Sequence, residues 1–252
     1  AVSRALADAE APLDRIVCKG ARVSVVVSDH TRPTGSAVYV PILISTLQEL
    51  QAEITIIIAL GLHRPSSPGE IEIICGGRVP AGVRVINHDA AHDLFDTGAA
   101  SFNREAVTAD LLIVTGAVTF HPMAGFSGGR KSLLPGIASA GDIYANHRLY
   151  FEGNRVHPGV GPAWVKSNPV LQDIIRRTAE LGDVWALNVV TNEQQAIEFA
   201  ACGWVDEVWE RCCTYVSRKH AAAITARYDT VAASAGGVPS DISFYQSMKV
   251  LT

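Results

Sequence analysis

The chain has 252 residues, of which 48% are hydrophobic and 18% charged, with a net charge of −4, and these values exclude a disordered protein. The small negative charge provides no broad basic surface, so we expect no nucleic-acid partner. The longest apolar runs, such as residues 54–62, are far shorter than the roughly 20 residues that a membrane-spanning helix needs, so we expect no membrane partner either. Residues 1–13 do not resemble a signal peptide and the five scattered cysteines contain no CxxC pair, which predicts a cytoplasmic protein with reduced thiols.

Short β-branched runs alternate with amphipathic segments along the chain. Strands are predicted over residues 22–28, 53–60, 83–87, 110–116, 183–191 and 228–234. Helices are predicted over residues 35–51, 68–75, 168–181, 192–202, 205–223 and 241–251. Strands separated by helices predict an α/β fold with a mostly parallel, Rossmann-like sheet and helices on both faces.

The predicted elements divide the chain into two parts. Residues 1–227 are expected to form an N-terminal α/β domain, the one that would bind a cofactor at its strand ends. The strand at 228–234 and the helix at 241–251 stand at the end of the chain, so we expect residues 228–252 to be the beginning of a truncated second α/β domain. No feature of the sequence predicts an oligomeric state.

Polar and basic residues directly follow four of the predicted strands. The four segments are residues 29–34, 61–65, 119–131 and 235–249. Ligands of open α/β sheets bind beyond the carboxyl ends of the strands. Four such strand ends carrying histidine, arginine and lysine therefore predict one shared cleft.

The segment after the strand at 110–116 is the most informative. Lys131 lies on a turn with Gly128 and Gly129, between His121 and His147. Such a turn is typical of a loop that holds a phosphate or a cofactor, and the alternative is a flexible turn with solvated charges.

Each of the other candidates also has a purely structural alternative. Asp29 and Thr31 would cap the following helix, His63 would be a loop histidine bound by backbone groups, and Arg32 would be a surface charge rather than part of an anion site. His88 and His92 match the histidine spacing of a zinc helix, but aspartate replaces the glutamate base and no third ligand follows. We therefore expect a structural loop there and not a zinc hydrolase.

Taken together, these motifs resemble the lactate racemase family, whose members use a nickel-pincer nucleotide cofactor. The match spans nearly the whole chain. The motifs are Asp29-His30-Thr31-Arg32-Pro33, Gly61-Leu62-His63-Arg64-Pro65, His121, Gly128-Gly129-Arg130-Lys131, Leu134-Pro135-Gly136, Asn146-His147, and residues 241–249 with Tyr245-Gln246.

The resemblance implies a cofactor that is a pyridinium mononucleotide covalently tethered through Lys131, with nickel bound by two sulfurs, a ring carbon and His147. A planar site of this kind with an imidazole donor suits Ni(II). Asp29, Thr31, Arg32, Gly128 and Gly129 are expected to contact the cofactor and its phosphate.

The resemblance also implies the reaction: racemisation or epimerisation of a 2-hydroxy acid such as lactate, by transient transfer of hydride to the cofactor. His63 and His121 are then the paired acid/base groups, since imidazole titrates near neutral pH. Arg32, Gln246 and Lys249 are expected to bind the substrate. The alternative function is a non-catalytic α/β domain that binds a phosphorylated ligand.

Overall fold

The computed structural model describes residues 1–223, 226, 229–234 and 237, and a six-stranded sheet with helices on both faces forms its centre. The helices are α1 Val2–Ala7, α2 Leu13–Ile16, α3 Ser36–Glu49, α4 Pro68–Ile74, α5 Arg104–Val107, α6 Ala140–Arg148, α7 Pro169–Thr178 and α8 Val205–Lys219. The strands are β1 Arg22–Ser28, β2 Glu53–Ala59, β3 Arg84–Asn87, β4 Leu94–Asp96, β5 Ser101–Asn103, β6 Leu111–Ala117, β7 Phe120–His121, β8 Gly125–Phe126, β9 Phe151–Glu152, β10 Arg155–Val156, β11 Val184–Thr191 and β12 Ile197–Trp204. Short 3-10 helices lie at Gly129–Ser132 and Ala179–Leu181. The predicted α/β class is confirmed.

The central sheet has the strand order β3-β2-β1-β6-β11-β12, and every neighbouring pair is parallel except β11 with β12. The chain runs outward from β1 to β3 and then returns to place β6 on the other side of β1. This reversal creates a topological switch point between β1 and β6, where such sheets form their ligand-binding crevice. The candidate residues after β1 and β6 therefore lie beside this crevice.

Two hydrophobic cores cover the two faces of the sheet. One contains Tyr39, Leu43 and Leu47 of α3, all fully buried, and the other contains Ile174 of α7 and Val216 of α8. The strands between the two cores have apolar side chains on both faces, as expected for a parallel sheet with helices packed on each face. No helix within the described residues has the length and apolar character needed to cross a membrane.

The helix predicted over residues 192–202 is wrong. Asn192 closes a tight turn: its side chain accepts hydrogen bonds from the backbone N–H groups of Gln194 (3.1 Å) and Ala196 (3.0 Å). The chain then returns as β12, antiparallel to β11. The physical reason is that β11 offers an open sheet edge, and the Ile, Phe and Trp residues of Ile197–Trp204 favour a strand.

The predicted last strand is also not observed where the structure describes it. Residues 229–234 form no strand and are all exposed, with Val231 76% exposed, so they bury no apolar face against a sheet. Tyr228 and the helix predicted at 241–251 lie outside the described residues. The short strand pairs β4–β5, β7–β8 and β9–β10 were not predicted, because each strand is too short to produce a clear periodicity. Helix α6 was not predicted because its nine residues carry few apolar side chains.

Candidate functional site

The carboxyl ends of three neighbouring strands carry the first candidate residues. Asp29 follows β1, His63 lies four residues after β2, and His121 ends β7, directly beyond β6. Because β1, β2 and β6 are parallel neighbours, these ends share one edge of the sheet. The single cleft predicted from the sequence is thus consistent with the topology.

Asp29 and His63 form a hydrogen-bonded pair across this edge. The His63 Nδ1 lies 2.6 Å from Asp29 Oδ2, and Asp29 is 3% exposed whereas the His63 side chain is 42% exposed. The other carboxylate oxygen, Oδ1, accepts hydrogen bonds from the Thr31 N–H (2.7 Å) and the Thr31 hydroxyl (2.5 Å). The buried carboxylate is therefore fixed by Thr31 and directed at the imidazole.

The structure excludes the purely structural alternatives for Asp29, Thr31 and His63, which were helix capping and a ring bound by backbone groups. Neither Asp29 nor Thr31 caps α3, because the helix begins at Ser36 and its N-cap is Gly35. The His63 ring is bound by a carboxylate rather than by backbone. Arg32 is exposed in the turn after β1, at the same edge.

His121 accepts hydrogen bonds at its Nδ1, whereas the Nδ1 of His63 faces a carboxylate. Its Nδ1 accepts from the backbone N–H groups of Met123 (3.2 Å) and Ala124 (3.1 Å). The β7–β8 pairing of His121 with Gly125 closes this small hairpin. The ring is therefore held by the turn on which it lies.

The 3-10 helix that carries Lys131 is attached to two strands of the sheet. The Ser132 hydroxyl donates to the Thr115 carbonyl of β6 (2.8 Å), and the Gly129 N–H donates to Oδ1 of the buried Asn188 of β11 (3.0 Å). The Gly129 amide is thus committed to the protein interior, and a phosphate at this loop would be bound by other groups. These hydrogen bonds fix the segment that carries Lys131 to the sheet, so it is not a flexible turn.

Helix α8 holds the same loop from the other side. Arg130 makes a two-pronged ion pair with Asp206 (Nε and Nη2, both 2.8 Å) and donates to the Thr178 carbonyl (3.1 Å). The Trp209 indole donates to the Ser127 carbonyl (2.9 Å). Its ring lies against Gly129, where a Cβ would come within 2.6 Å of the indole and where φ is +54°. Glycine is therefore required at this position for packing and for backbone conformation.

We expect the Arg130–Asp206 pair to stabilise the 3-10 helix Gly129–Ser132. The Arg130 side chain is 12% exposed, so Asp206→Ala leaves a largely buried guanidinium short of partners. Since Asp206 itself is 64% exposed, the free energy of unfolding should fall by about 1–2 kcal/mol. Urea denaturation would measure this loss, with Glu207→Ala on the same helix turn as the matched control. Equal stability of the two variants would contradict the role of the pair.

His147 lies in the last turn of α6, and a buried polar network holds this helix. The neighbouring Asn146 is fully buried and donates from Nδ2 to the Val170 carbonyl and to Asp173 Oδ2, both at 3.0 Å. Arg177 joins Asp173 to Asp142 at the start of α6, at 3.0 and 2.7 Å. The position of His147 is therefore fixed by contacts between α6 and α7.

The hydrogen bond of His147 sets its tautomer. Nδ1 lies 2.8 Å from the Ile143 carbonyl, which can only accept, so Nδ1 carries the proton and Nε2 keeps its lone pair. Burial lowers the pKa of His147, and the nearby charge of Lys131 lowers it further. Lys131 therefore lies within electrostatic range of His147, and the lowered pKa favours a neutral imidazole with a lone pair on Nε2.

These residues fit the cofactor that the sequence suggests. Within the described residues, no group of three or more His, Cys, Asp or Glu side chains is arranged to hold a metal ion. A pincer nucleotide would bring metal ligands of its own, and His147 would add the lone pair of its Nε2. Lys131 supplies an amine within electrostatic range of that imidazole. The remaining predicted contacts, Gln246 and Lys249, lie outside the described residues.

The expected loop around the zinc-like motif is confirmed. His88 is buried and its Nε2 lies 3.0 Å from the Ala138 carbonyl, whereas His92 is exposed and pairs with Asp89 at 3.0 Å. The segment is not helical, so the two histidines do not share a helix face. His88 instead connects the end of β3 to Ala138, which follows the 3-10 helix Gly129–Ser132.

Protonation of His88 should weaken the fold. Burial lowers the pKa of His88 below its usual 6.5, and among the described residues its buried Nδ1 has no hydrogen-bond partner. His88 therefore contributes stability above pH 6.5 that is lost as the pH falls below it. We expect the unfolding free energy to fall more steeply between about pH 7.5 and about pH 5.5 in the wild type than in His88→Gln. The exposed His92→Gln should keep the wild-type slope, and equal slopes in all three proteins would contradict the prediction.

Sequence reasoning missed Asn188, Asp206 and Trp209, which hold the loop at residues 127–132. Of these three residues, only Asn188 is conspicuous in the sequence, because it is an amide within an otherwise apolar strand. Asp206 and Trp209 belong to an ordinary amphipathic helix, and their partners are 76 and 82 residues away in the chain. Contacts this distant cannot be read from local patterns.

The topology and the strand-end residues define a Rossmann-like α/β protein with Asp29, His63 and His121 at one edge of its sheet. The model of the lactate racemase N-terminal domain matches residues 1–159. The chain belongs to the lactate racemase family.

Individual relatives agree with this assignment. Lactate racemase of Thermoanaerobacterium thermosaccharolyticum is 34% identical over 241 residues, which cover 91% of this chain and 55% of the relative. Lactate racemase of Lactiplantibacillus plantarum is 34% identical over 243 residues, covering 91% and 56%. The chain thus spans about half the length of these curated relatives.

Solved structures show the same fold. The lactate racemase apoprotein of T. thermosaccharolyticum superposes with a TM-score of 0.89 at 32% identity, covering 98% of this chain and 61% of that one. A Thermotoga maritima protein gives a TM-score of 0.65 at 22% identity, covering 82% and 56%, and supports the fold alone.

Proposed function

We propose that this chain provides the cofactor-binding and proton-transfer residues of a nickel-dependent racemase or epimerase of a 2-hydroxy acid such as lactate. The observation that carries the proposal is the arrangement at one sheet edge. There a carboxylate-bound imidazole, His63, follows β2 and contacts Asp29 at the end of β1, and Lys131, on the 3-10 helix that follows β6, lies within electrostatic range of the His147 imidazole. The names of the relatives support the reaction class.

His63 is proposed as a general base. Because Asp29 accepts from Nδ1, Nε2 keeps a lone pair that can take the proton of a substrate hydroxyl. The resulting imidazolium is stabilised by the buried carboxylate. His121, at the end of the adjacent β6–β7 segment, is proposed as the second acid/base group.

Lys131 and His147 are proposed to hold the cofactor, a nickel-pincer pyridinium mononucleotide. The Lys131 amine would form an amide-type bond to it, and the Nε2 lone pair of His147 would bind its nickel. When bound, the cofactor supplies the carbon that accepts hydride from the substrate. The protein contributes the 3-10 helix Gly129–Ser132, which holds the amine within electrostatic range of the imidazole.

Binding of the anionic groups is proposed for the basic residues around the cleft. Arg32, exposed beyond β1, would bind the substrate carboxylate together with Gln246 and Lys249. Asp29 and Thr31 are engaged with each other and with His63, so we assign them to proton transfer in place of phosphate binding. Gly128, with a φ of +72°, gives the loop the turn that presents Lys131.

We propose a cytoplasmic location on the basis of the thiols. All five cysteines are free, and four of them are buried. Burial raises the pKa of Cys75 to about 11 and that of Cys202 to about 12, so these side chains are protonated and unreactive at neutral pH. They act as small apolar residues in the core.

The test is a panel of enantiopure 2-hydroxy acids given to the cofactor-loaded protein, with chiral chromatography of the products. Conversion of lactate or another 2-hydroxy acid of the panel to an equal mixture of enantiomers supports the proposal. The acid that reacts fastest then identifies the substrate class. A loaded protein that binds a phosphorylated ligand but converts no member of the panel would instead indicate a binding domain.

A further inference from the structure

The two histidines at the strand ends use the same ring nitrogen in opposite ways. His63 directs Nδ1 at a carboxylate oxygen, 2.6 Å from Asp29 Oδ2. His121 directs Nδ1 at two backbone N–H groups, those of Met123 (3.2 Å) and Ala124 (3.1 Å). Carboxylates at neutral pH only accept and backbone amides only donate, so each partner dictates where the ring proton lies.

For His63 the carboxylate requires a proton on Nδ1. In the neutral ring, Nε2 is then unprotonated and has a lone pair. This is the form that can accept a proton from a hydroxyl group. The buried Asp29, itself fixed by Thr31, keeps the ring in this form.

For His121 the two amides require an unprotonated Nδ1. The single proton of the neutral ring is then on Nε2, which is a hydrogen-bond donor and cannot take a further proton. An imidazolium would direct an Nδ1–H at two N–H groups and lose both hydrogen bonds. Turning the ring over does not help, because it would place a carbon where the amides find an acceptor.

We propose that the two histidines are in opposite tautomeric states. His63 is the base, and His121 is a hydrogen-bond donor until the backbone turn at residues 121–124 releases its Nδ1. The proposal rests on the proposed racemase function. One enantiomer then loses its hydroxyl proton directly to His63 Nε2. The other enantiomer requires the turn at residues 121–124 to free Nδ1, so that the proton can move there and leave Nε2 as the base.

The specificity constant kcat/KM cannot reveal this asymmetry. The two enantiomers of a hydroxy acid are equally stable, so kcat/KM must be the same in both directions whatever the states of the histidines. The tautomers themselves have to be observed. They exist in the protein without cofactor, which separates this test from any assay of activity.

The experiment is long-range proton–nitrogen correlation NMR of the protein labelled with nitrogen-15 histidine, prepared without cofactor. His63→Gln and His121→Gln samples assign the two rings, because each removes one set of signals. We expect a protonated Nδ1 at His63, and an unprotonated Nδ1 with a protonated Nε2 at His121. A protonated Nδ1 at His121, or an unprotonated Nδ1 at His63, would overturn the inference.

The outcome is independent of the test of function. If the tautomers are opposite but the loaded protein racemises no hydroxy acid, the proposed function fails and the tautomer assignment stands. If racemisation occurs but both rings show the same tautomer, the inference fails and the function stands.

Discussion

Asp29→Asn should abolish most of the racemisation while leaving the fold intact. Two donors of Thr31 point at Oδ1, so the amide oxygen of the variant stays there and its NH₂ group faces His63. That NH₂ donates to Nδ1 and moves the ring proton to Nε2, where the lone pair is needed. In serine proteases the equivalent exchange lowers kcat by about 10⁴ through the wrong histidine tautomer, and we expect a loss on the order of 10³–10⁴ here.

The matched control for this variant is Asp89→Asn. Asp89 and His92 form a second Asp–His pair of the chain, but both are exposed and belong to the structural loop after β3. We expect Asp89→Asn to keep wild-type activity, and both variants to keep the wild-type unfolding temperature. Chiral chromatography under saturating substrate measures kcat. An active Asp29→Asn protein would show that the carboxylate does not control the His63 tautomer.

The second large effect is expected for His147→Ala. Within the part of the chain that the structure describes, the ring makes one hydrogen bond, to the carbonyl of its own helix, while Asn146 and Asp173 hold α6 in place. The variant should therefore fold normally but lose its nickel, and racemisation should fall to background. Elemental analysis of protein loaded under identical conditions measures the metal, with the exposed His92→Ala as control. Full nickel occupancy in His147→Ala would contradict the assignment of His147 as metal ligand.

Much of the fold is predictable because the central strands are long, apolar and β-branched. The strands at 22–28, 53–60 and 110–116 were placed to within one residue of β1, β2 and β6. The helix predicted at 192–202 does not form for a local reason. The Asn192 side chain closes a turn there, and the segment that follows pairs with the open edge of β11. Helix α6 was missed because its nine residues carry few apolar side chains.

The location of the site follows from the sequence, but its internal contacts do not. The strand-end rule places Asp29, His63 and His121 at one edge, and the structure agrees. The pairing of Asp29 with His63 joins residues 34 apart, and it depends on the side-chain orientation after two separate strands. The tautomers of His121 and His147 depend on backbone groups within four residues of each ring, and no residue pattern specifies them.

The most direct test of the account is peptide mass mapping of the cofactor-loaded protein, combined with its nickel content. The account predicts about one nickel per chain and a mass increment confined to the peptide that contains Lys131. It also predicts that Lys131→Arg carries no increment, because arginine cannot form the amide-type bond, while Lys166→Arg is loaded like the wild type. A racemising protein without an increment on Lys131, or with the increment on another lysine, would contradict it.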